Sequence, residues 1–574
     1  MAKKVAELFV EVLAAAGVEK IYGVAGDSLN GITDSIRVRN GIEWVGTRHE
    51  ETAAFAAGAE AGLTGKLAVC AGSCGPGNLH LINGLYDAHR SRVPVLAIAA
   101  HIPSQEVGSN YFQETHPENL YKECSAYCEV ISRPEQMPRT LEIAIQTAIA
   151  KRDVAVVVIS GDIALSDAPN SERRVNFSFS QPEIVPAPDD LEALAGDLNR
   201  AAKVTILAGA GCAGAHDELV AIAGKLKAPI VHAMRGKEYI EYDNPYDVGM
   251  TGLLGFSSGY QAMKSCDTLL ILGTDFPYQQ FYPKDARILQ IDIRQEQLGR
   301  RARLDRGVVG GIKETLTALL PKVDEKTNSK HLDAALENYR TARRDLDALA
   351  TGKPGQKPIH PQYVAKVLNE LASDDAVFTV DVGTPVIWAA RYLEMNGKRR
   401  ILGSFNHGSM ANALPQAIGA QVAFPGRQVV TLSGDGGLSM LMGDLLSLRQ
   451  LNLPVKMVVF NNSSLGFVEL EMKATGFLNH ATDLVNPDFA KIAEGTGVYG
   501  IHVDDPGELR GALEKAFAHP GPALIDVAVN RQELAMPPSL QLDQIIDFNL
   551  YMMKAILNGR GDEILDLAKT NLFR

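Results

Sequence analysis

The sequence predicts an α/β protein of three doubly wound parallel-sheet domains, followed by a C-terminal helical tail. The chain has 574 residues, and at roughly 100–200 residues per domain this length favours about three or four domains. Short β-branched runs alternate with Gly-rich turns and Ala/Leu-rich stretches, which is typical of buried parallel strands joined by helices. Two polar stretches that contain proline, Asp167–Asp190 and Thr351–Pro361, indicate interdomain linkers that divide the chain into three blocks and an extension.

The β-branched runs are continuously apolar, so we expect strands that are buried on both faces of a sheet. The predicted strands are Lys66–Ala71, Val93–Ala100, Val154–Ser160, Val204–Ala208, Thr268–Leu272, Ile288–Ile293, Ala376–Val380, Val429–Leu432 and Val455–Phe460.

The first and third blocks repeat one order of elements. An Ala-rich helix at His49–Leu63 is followed by a strand and a Gly-rich turn, and the Ala-rich helix at Ala411–Val422 is followed by the same succession. In each block a further helix leads to a Pro-Val pair, Pro94-Val95 or Pro454-Val455, that opens the next strand. We infer that one α/β unit has been used twice, and that the middle block is a different unit.

The composition excludes several classes of protein. Hydrophobic residues make up 46% and charged residues 22% of the chain, which is typical of a globular protein and excludes intrinsic disorder. The formal net charge of −12, without a Lys/Arg-rich run, argues against a nucleic-acid partner. The six cysteines contain no C-x-x-C pair, which argues against a disulfide scaffold and a structural zinc site. Because neither a signal peptide nor an apolar stretch of ~20 residues is recognisable, we expect a cytoplasmic protein.

The strongest chemical signal is the turn Gly434-Asp435-Gly436-Gly437, which is followed 27 positions after Asp435 by Asn462. Asp435 stands where a predicted strand ends and a helix begins, and the glycines would let backbone N–H groups approach a phosphate. The next strand returns Asn462 to the same edge of the sheet. A carboxylate and an amide oxygen are ligands that suit Mg²⁺, which usually also binds phosphate oxygens.

The middle block contains a G-x-G-x-x-G pattern, from Gly209 through Gly211 to Gly214, after a predicted strand. An NAD-binding fingerprint would place an acidic residue about 20 positions further on. The chain has Val231-His232-Ala233 there, so NAD is disfavoured.

The C-terminal residues predict a short amphipathic helix. Ile564, Leu565, Ala568 and Leu572 recur at helical spacing, and Asp562 is a candidate N-cap. A helix of about twelve residues is only about 18 Å long and does not span a bilayer. Two placements remain open, in a membrane interface or docked on the protein's own surface.

Together these motifs resemble the thiamine-diphosphate-dependent pyruvate oxidases, and within them the quinone-reducing bacterial type. The resemblance covers essentially the whole chain. It implies a pyrimidine-binding domain at 1–182, an FAD-binding central domain at 183–336, a diphosphate-binding domain at 337–532 and a membrane-binding tail at 533–574. The stretches that carry it are Ser28–Gly31, Thr47–Gly58, Ala71–Gly84, Phe112–Pro117, Arg235–Glu238, Asn244–Ser258, Asn406–Asn412 and Phe460–Phe467.

The resemblance implies that Asp435, Asn462 and the backbone oxygen of Ser464 are the magnesium ligands, and that Met410 is the apolar side chain that bends thiamine diphosphate. The Gly408 carbonyl would accept a hydrogen bond from the cofactor's amino group. The implied cofactor contacts are Glu50, Gly408, Ser409, Met410, Asp435, Gly436, Gly437, Asn462, Ser463, Ser464, Leu465, Gly466 and Phe467.

Glu50 is the implied acid that activates the cofactor. A carboxyl hydrogen-bonded to the aminopyrimidine ring favours the tautomer that removes the thiazolium proton, and this requires a partly desolvated carboxyl on an apolar helix. Glu51 is the competing candidate. Because Glu50 lies in the first block and Asp435 in the third, the cofactor would bridge two domains. In the family these belong to two subunits, which implies at least a dimer and an expected tetramer.

The resemblance also implies FAD in the middle block. The implied contacts are Thr251, Gly252, Leu253, Leu254, Thr274 and Asp292, with Gly209 and Gly211 as additional candidates. Phe112, Gln113, Phe467 and Glu471 match substrate-site positions of pyruvate oxidases.

The implied reaction is oxidative decarboxylation of pyruvate to acetate and CO₂, with two electrons passing through FAD to ubiquinone. The tail would hold the enzyme on lipid at the inner face of the cell membrane. Two alternatives remain: a non-oxidative relative such as acetolactate synthase, and an oxidase that uses oxygen and phosphate to form acetyl phosphate.

Overall fold

Three parallel sheets, each of six strands, make up the body of the chain. This computed structural model describes residues 2–169, 177, 180, 182–533, 550–555, 557 and 560–572. All strand pairs within the sheets are parallel, as the predicted α/β class of three parallel-sheet domains requires.

The strands of the first sheet are β1 (Lys20–Gly23), β2 (Glu43–Gly46), β3 (Ala68–Gly72), β4 (Val95–His101), β5 (Tyr127–Ile131) and β6 (Val154–Ser160). Those of the middle sheet are β7 (Val204–Ala208), β8 (Ile230–His232), β9 (Asp247–Met250), β10 (Thr268–Leu272), β11 (Arg287–Asp292) and β12 (Arg306–Val309). Those of the third are β13 (Val377–Val380), β14 (Arg400–Gly403), β15 (Val429–Gly434), β16 (Lys456–Asn461), β17 (Tyr499–Val503) and β18 (Ala523–Ala528).

Helices cover the faces of the sheets. Those of the first domain are α1 (Val5–Ala15), α2 (Asn30–Arg39), α3 (Glu50–Thr64), α4 (Pro76–Ser91), α5 (Pro117–Leu120), α6 (Met137–Lys151) and α7 (Gly161–Leu165). The middle domain has α8 (Pro188–Arg200), α9 (His216–Leu226), α10 (Lys237–Ile240), α11 (Ser257–Ser265), α12 (Ile312–Leu319) and α13 (Lys330–Leu349). The third has α14 (Pro361–Leu371), α15 (Thr384–Tyr392), α16 (Ala413–Ala423), α17 (Asp435–Met440), α18 (Leu445–Gln450), α19 (Gly466–Ala474), α20 (Phe489–Gly495) and α21 (Pro506–Ala518), and the tail has α22 (Gly561–Leu572).

The strand orders confirm the predicted repeat. The first sheet has the order β2-β1-β3-β4-β6-β5, and the third has the same order within its own numbering, β14-β13-β15-β16-β18-β17. The middle sheet differs, with β12-β11-β10-β7-β8-β9. The direction of winding reverses between β13 and β15 in the third sheet and between β7 and β10 in the middle sheet. Ligands of open α/β sheets bind at such reversal points, beside the carboxyl ends of the strands.

The predicted strands are present, with ends that shift by at most two residues. The helix predicted at Ala411–Val422 begins instead at Ala413, because Ala411 has φ of +61°, a left-handed value that an α-helix excludes. The helix predicted at His49–Leu63 begins at Glu50, because His49 is its N-cap and accepts a hydrogen bond from the Glu51 N–H at 3.2 Å. The domain boundary drawn at 336 lies inside α13, and the predicted linker follows the end of that helix.

Helices α3 and α16 pack closely and join the first domain to the third. A Cβ atom at Gly419 of α16 would lie 2.1 Å from the carbonyl oxygen of Ala56 in α3, so only glycine allows this approach. Asp444 reinforces the contact, because its carboxylate accepts hydrogen bonds from Thr52 Oγ1 at 2.7 Å and from the Arg48 N–H at 2.8 Å.

The described part of the tail docks on the third domain of the same chain. Glu563 of α22 forms an ion pair with Lys473 of α19 at 3.2 Å, and Asn571 donates to the carbonyl of Gln532 at 2.8 Å. Asp562 lies in the first turn of α22 and is not its N-cap, because the helix already begins at Gly561. Among the described residues, no helix has the length and apolar character needed to cross a bilayer. Most of the predicted stretch between 533 and 558 lies outside the described residues.

Candidate active site

Asp435 begins α17 directly after β15, at the reversal point of the third sheet. Its side chain is only 2% exposed. One carboxylate oxygen accepts a hydrogen bond from the Gly436 N–H at 2.9 Å, and the other accepts from the N–H groups of Asn462 and Ser463 at 3.1 and 2.7 Å. Burial raises the pKa of Asp435, and these hydrogen bonds oppose the rise. They also fix both carboxylate oxygens at the edge of the sheet.

Asn462 and Ser464 lie on the loop after β16, the strand next to β15. Ser463 has φ of +54°, so the chain reverses there and turns the loop back on itself. Asn462 Oδ1 accepts a hydrogen bond from the Ser464 N–H at 3.1 Å. The three oxygen-bearing residues predicted as metal ligands are therefore on adjacent turns, and Asp435 contacts this loop directly.

Asn486 belongs to the same cluster, although the sequence reasoning missed it. Its Nδ2 donates to Asp435 at 2.8 Å and to Asn461 Oδ1 at 2.9 Å, which ties the two loops together. No strand, repeat or glycine turn stands next to Asn486 in the sequence, so only the folded chain reveals its position.

Met410, Gly436 and Leu465 meet at one point. A Cβ atom at Gly436 would lie 2.9 Å from Leu465 Cδ2 and 3.2 Å from Met410 Cε, so glycine leaves room for both side chains. A Cβ atom at Gly466 would lie 2.6 Å from Asn462 Nδ2. Gly408 has φ of +85°, which a glycine adopts without strain. The structure thus brings Met410 to the loops that carry Asp435 and Asn462.

Asp381, at the end of β13, was also missed from the sequence. Oδ1 accepts a hydrogen bond from the Ala413 N–H at 2.9 Å, whereas Oδ2 is buried and has no hydrogen-bond partner among the described residues. A Cβ atom at Gly437 would lie 2.4 Å from Oδ2, so the Asp381 carboxylate packs directly against the glycine turn. Burial raises the pKa of Asp381 to about 7.

Glu50 lies in a separate cluster at the start of α3. It is 8% exposed, its Oε2 is 2.9 Å from His80 Nδ1, and the His80 ring stacks on His49 with 4.3 Å between ring centroids. A Cβ atom at Gly77 would lie 3.1 Å from Glu50 Oε1, so glycine in the first turn of α4 leaves room beside this carboxylate. Glu51, the competing candidate, accepts a hydrogen bond from Asn83 Nδ2 at 2.7 Å and so has a structural partner.

Gln113 lies over the turn next to Glu50, and Phe112 does not. Gln113 adopts φ of +63° and accepts a hydrogen bond from the Cys74 thiol at 3.3 Å. A Cβ atom at Gly75 would lie 2.8 Å from Gln113 Cβ, which confirms how closely the two segments approach. Phe112 is 77% exposed in the single chain.

Phe467 and Glu471 lie on α19, which faces the middle domain. Phe467 packs against the core of the third domain, as does Leu254 of the middle domain. Burial raises the pKa of Tyr278, and the Glu471 carboxylate raises it further, which indicates that the two groups are close. Arg391 of α15 donates to the Leu254 carbonyl at 3.1 Å and so joins the loop Thr251–Leu254 to the third domain.

The predicted FAD contacts lie at the reversal point of the middle sheet and beside it. A Cβ atom at Gly209 would lie 2.5 Å from Thr274 Cβ, and Gly211 donates its N–H to the Gly273 carbonyl at 2.9 Å. Asp292 ends β11, is buried, and accepts a hydrogen bond from the Arg294 N–H at 2.9 Å. Burial raises the pKa of Asp292.

The loop Thr251–Leu254, which also contains predicted FAD contacts, packs against Phe276 of the middle domain. A Cβ atom at Gly252 would lie 2.9 Å from the Phe276 ring, and Leu253 is exposed. Thr251 Oγ1 is buried and has no hydrogen-bond partner within the part of the chain that the structure describes.

The residues at these positions have the chemistry needed to bind the groups that the resemblance implies, which are Mg²⁺, thiamine diphosphate and FAD. The carboxylate of Asp435, the amide oxygen of Asn462 and the backbone oxygen of Ser464 are hard donors of the kind Mg²⁺ binds. The glycines at 436 and 437 leave the backbone open to a diphosphate. The partnerless hydroxyl of Thr251 is a buried polar group of the kind that a bound flavin would satisfy.

Among the described residues, no hydrogen bond or ion pair joins Glu50 or His80 directly to Asp435, Asn462 or Asn486. Glu50 begins α3 of the first domain, and Asp435 begins α17 at the edge of the third sheet.

Three family models match the chain. They are the N-terminal TPP binding domain of thiamine pyrophosphate enzymes at residues 3–120, the central domain at 191–319 and the C-terminal TPP binding domain at 381–527. The central match contains the whole middle sheet, whereas the N-terminal match ends before β5 and the C-terminal match begins directly after β13.

Curated relatives align over nearly the full chain. A Bacillus subtilis protein, YdaP, provisionally described as thiamine pyrophosphate-containing, is 36% identical over 99% of both chains. The pyruvate oxidase of Lactiplantibacillus plantarum is 32% identical, over 93% of this chain and 90% of its own. The acetolactate synthase large subunit of Parasynechococcus marenigrum is 31% identical, over 93% of this chain and 88% of its own.

Proposed function

Because the chain belongs to the thiamine pyrophosphate enzyme family, we propose that it decarboxylates pyruvate oxidatively, releases acetate and CO₂, and passes two electrons through FAD to ubiquinone. Thiamine diphosphate with Mg²⁺ supplies the electron sink for decarboxylation, and FAD supplies the electron acceptor. The protein's part is to bind these groups, align them and control protons around them.

Glu50 is the proposed proton-handling group. Its carboxyl is buried beside His80, so it interacts with few water molecules and is suited to share a proton with a bound aminopyrimidine ring. Asp435, Asn462 and the backbone oxygen of Ser464 would hold the metal, and Gly436 and Gly437 would face the diphosphate. Met410 provides the apolar contact between these two ends.

The proposal that the reaction is oxidative rests on the position of the loop Thr251–Leu254. Arg391 holds this loop against the third domain, close to the helix that bears Phe467 and Glu471. The loop contains the partnerless Thr251 hydroxyl. A flavin bound there would lie next to the proposed substrate site, as electron transfer between the two requires.

We propose a site shared between two copies of the chain, because in the family that the sequence resembles the cofactor is bound between the first domain of one subunit and the third domain of another. The partner would bring its Glu50 to the Asp435 loop, and we propose a homo-oligomer, with a tetramer as the expected form. Mixing E50Q chains with D435N chains tests this proposal, because each hybrid dimer regains one intact site. About a quarter of wild-type activity should return on mixing, whereas a site within one chain would give none.

One anaerobic experiment tests the central proposal. Protein loaded with thiamine diphosphate, Mg²⁺ and FAD is mixed with pyruvate while flavin absorbance is followed. The wild-type flavin should bleach, E50Q should bleach about 10²- to 10⁴-fold more slowly, and the matched control E51Q should stay near wild type. Absence of bleaching in the wild-type protein would refute oxidation through FAD.

The similarity to acetolactate synthase favours a second candidate, in which a second 2-oxo acid traps the product of decarboxylation. Acetolactate formed from pyruvate without reduction of a dye acceptor would establish it. The similarity to a pyruvate oxidase also leaves an oxygen- and phosphate-dependent reaction to be tested. Phosphate-dependent product formation would favour that reaction over quinone reduction.

We also propose that the C-terminal helix brings the enzyme to the inner face of the cell membrane. In the docked position the helix contacts Lys473 and Gln532, so membrane binding would require it to leave these partners. Removing residues after Asn558 should abolish flotation with liposomes and spare reduction of a soluble acceptor. Continued flotation of the shortened protein would contradict this assignment.

A further inference from the structure

Asn83, on α4 of the first domain, forms side-chain hydrogen bonds through both its amide nitrogen and its amide oxygen. Its Nδ2 donates to Glu51 Oε1 at 2.7 Å and to Ser409 Oγ at 3.0 Å. Its Oδ1 lies 2.8 Å from His407 Nε2, and because this oxygen is an acceptor, the ring nitrogen carries the proton. One side chain thus joins the first turn of α3, which bears Glu50, to the third-domain loop that bears Met410.

The loop 407–411 has a backbone that needs outside support. Gly408 has φ of +85° and Ala411 has φ of +61°, and the second value is unfavourable for a residue with a side chain. Such conformations persist where the surroundings fix them. Within the loop, Ser409 Oγ donates to the Met410 carbonyl at 2.8 Å.

Helix α4 supplies this support at two successive turns. Asn83 binds both His407 and Ser409, and Tyr86, three residues on, stacks on the His407 ring with centroids 5.6 Å apart and planes 8° apart. The loop is therefore contacted by α4 from its first residue, His407.

We propose that Asn83 is a positioning residue that holds the loop 407–411 in the conformation that receives thiamine diphosphate. The inference rests on the proposed function, in which Gly408 and Met410 contact that cofactor. Without Asn83 the loop would sample other conformations, and cofactor affinity would fall by the fraction of chains that keep the competent one. Loss of these partly buried hydrogen bonds predicts a dissociation constant about tenfold larger.

The test measures binding and not turnover. Thiamine diphosphate is titrated by calorimetry, in excess Mg²⁺, into the full-length wild type and the variants N83A, S409A, N83A/S409A and H89A. N83A should bind about tenfold more weakly. The effects of N83A and S409A should combine to less than their product, because both changes remove the hydrogen bond between Asn83 and Ser409, while S409A also removes the bond to the Met410 carbonyl. His89 is the control, since it lies on the same helix and contacts Asp153 of the first domain at 2.7 Å. H89A should bind like the wild type.

Three outcomes would overturn the inference: wild-type affinity in N83A, fully independent effects of N83A and S409A, or equal weakening in H89A. If N83A does not fold, N83D decides, because it keeps the acceptor for His407 and loses the donors to Glu51 and Ser409. N83D should then bind weakly. Failure of the wild-type chain to bind thiamine diphosphate would refute the proposed function itself, whereas wild-type binding with unchanged N83A or N83D affinity would refute only the role of Asn83.

Discussion

The contact between α3 and α16 makes a strong prediction about Gly419. In G419A the new methyl group would lie 2.1 Å from the Ala56 carbonyl oxygen and 2.7 Å from its carbonyl carbon. Both are backbone atoms, so no side-chain rotation relieves the overlap, and the helices must separate. Overpacking typically costs 1–3 kcal/mol and occasionally more, whereas the gain in helix propensity is about 1 kcal/mol.

We therefore expect G419A to lose about 2 kcal/mol, which corresponds to about 4–8 °C in the transition temperature of a domain this large. The assay is scanning calorimetry, with amide hydrogen exchange of α3 as a local measure. G511A is the control, because Gly511 lies in α21 with nothing within 4 Å of a new Cβ atom. G511A should gain about 2–4 °C.

A rise in transition temperature for G419A, matching that of G511A, would refute the reasoning. It would mean that the two helices do not meet at Gly419 and Ala56. Because α3 carries Glu50 at its first residue, faster exchange in α3 should accompany slower turnover in G419A.

Three further changes test individual contacts. Burial raises the pKa of Asp381 to about 7 in the folded protein, above its value of about 4 in the unfolded chain, so the wild type loses stability as pH rises through this window. D381N should therefore flatten the dependence of transition temperature on pH between about 4 and about 7, and an unchanged pH profile would contradict this. T52V removes a buried hydrogen bond to Asp444 and should cost about 1–3 kcal/mol in denaturant unfolding, so wild-type stability would show that the bond is not formed. T251V should not lower the stability of flavin-free protein, since Oγ1 has no hydrogen-bond partner among the described residues. It should lower the FAD-to-protein absorbance ratio after gel filtration, and full flavin retention would contradict a contact between Thr251 and FAD.

Much of the fold could be predicted from the sequence, because buried parallel strands are recognisable without knowledge of their neighbours. Runs such as Val154–Ser160 and Thr268–Leu272 are strands with the predicted bounds. The turn at Asp435 was equally visible, since a carboxylate between glycines at the end of a strand is a local pattern. The helix start at Ala411 was wrong because its left-handed φ follows from the loop that α4 supports and not from local propensity.

The sequence by itself determined the three-sheet class, the repeat of one unit, and the pairing of Asp435 with Asn462 as candidate ligands. These depend on periodicity, glycine turns and spacing, which are local properties of the chain, whereas the choice of Glu50 over Glu51 depends on the resemblance to a known family. Only the tertiary structure decided that Asn486 and Asp381 support the Asp435 turn, that Asn83 reaches the Met410 loop, and that α22 docks beside Lys473. Each of these contacts joins segments far apart in the chain, and single polar residues in loops show no pattern until packing brings their partners within hydrogen-bonding distance.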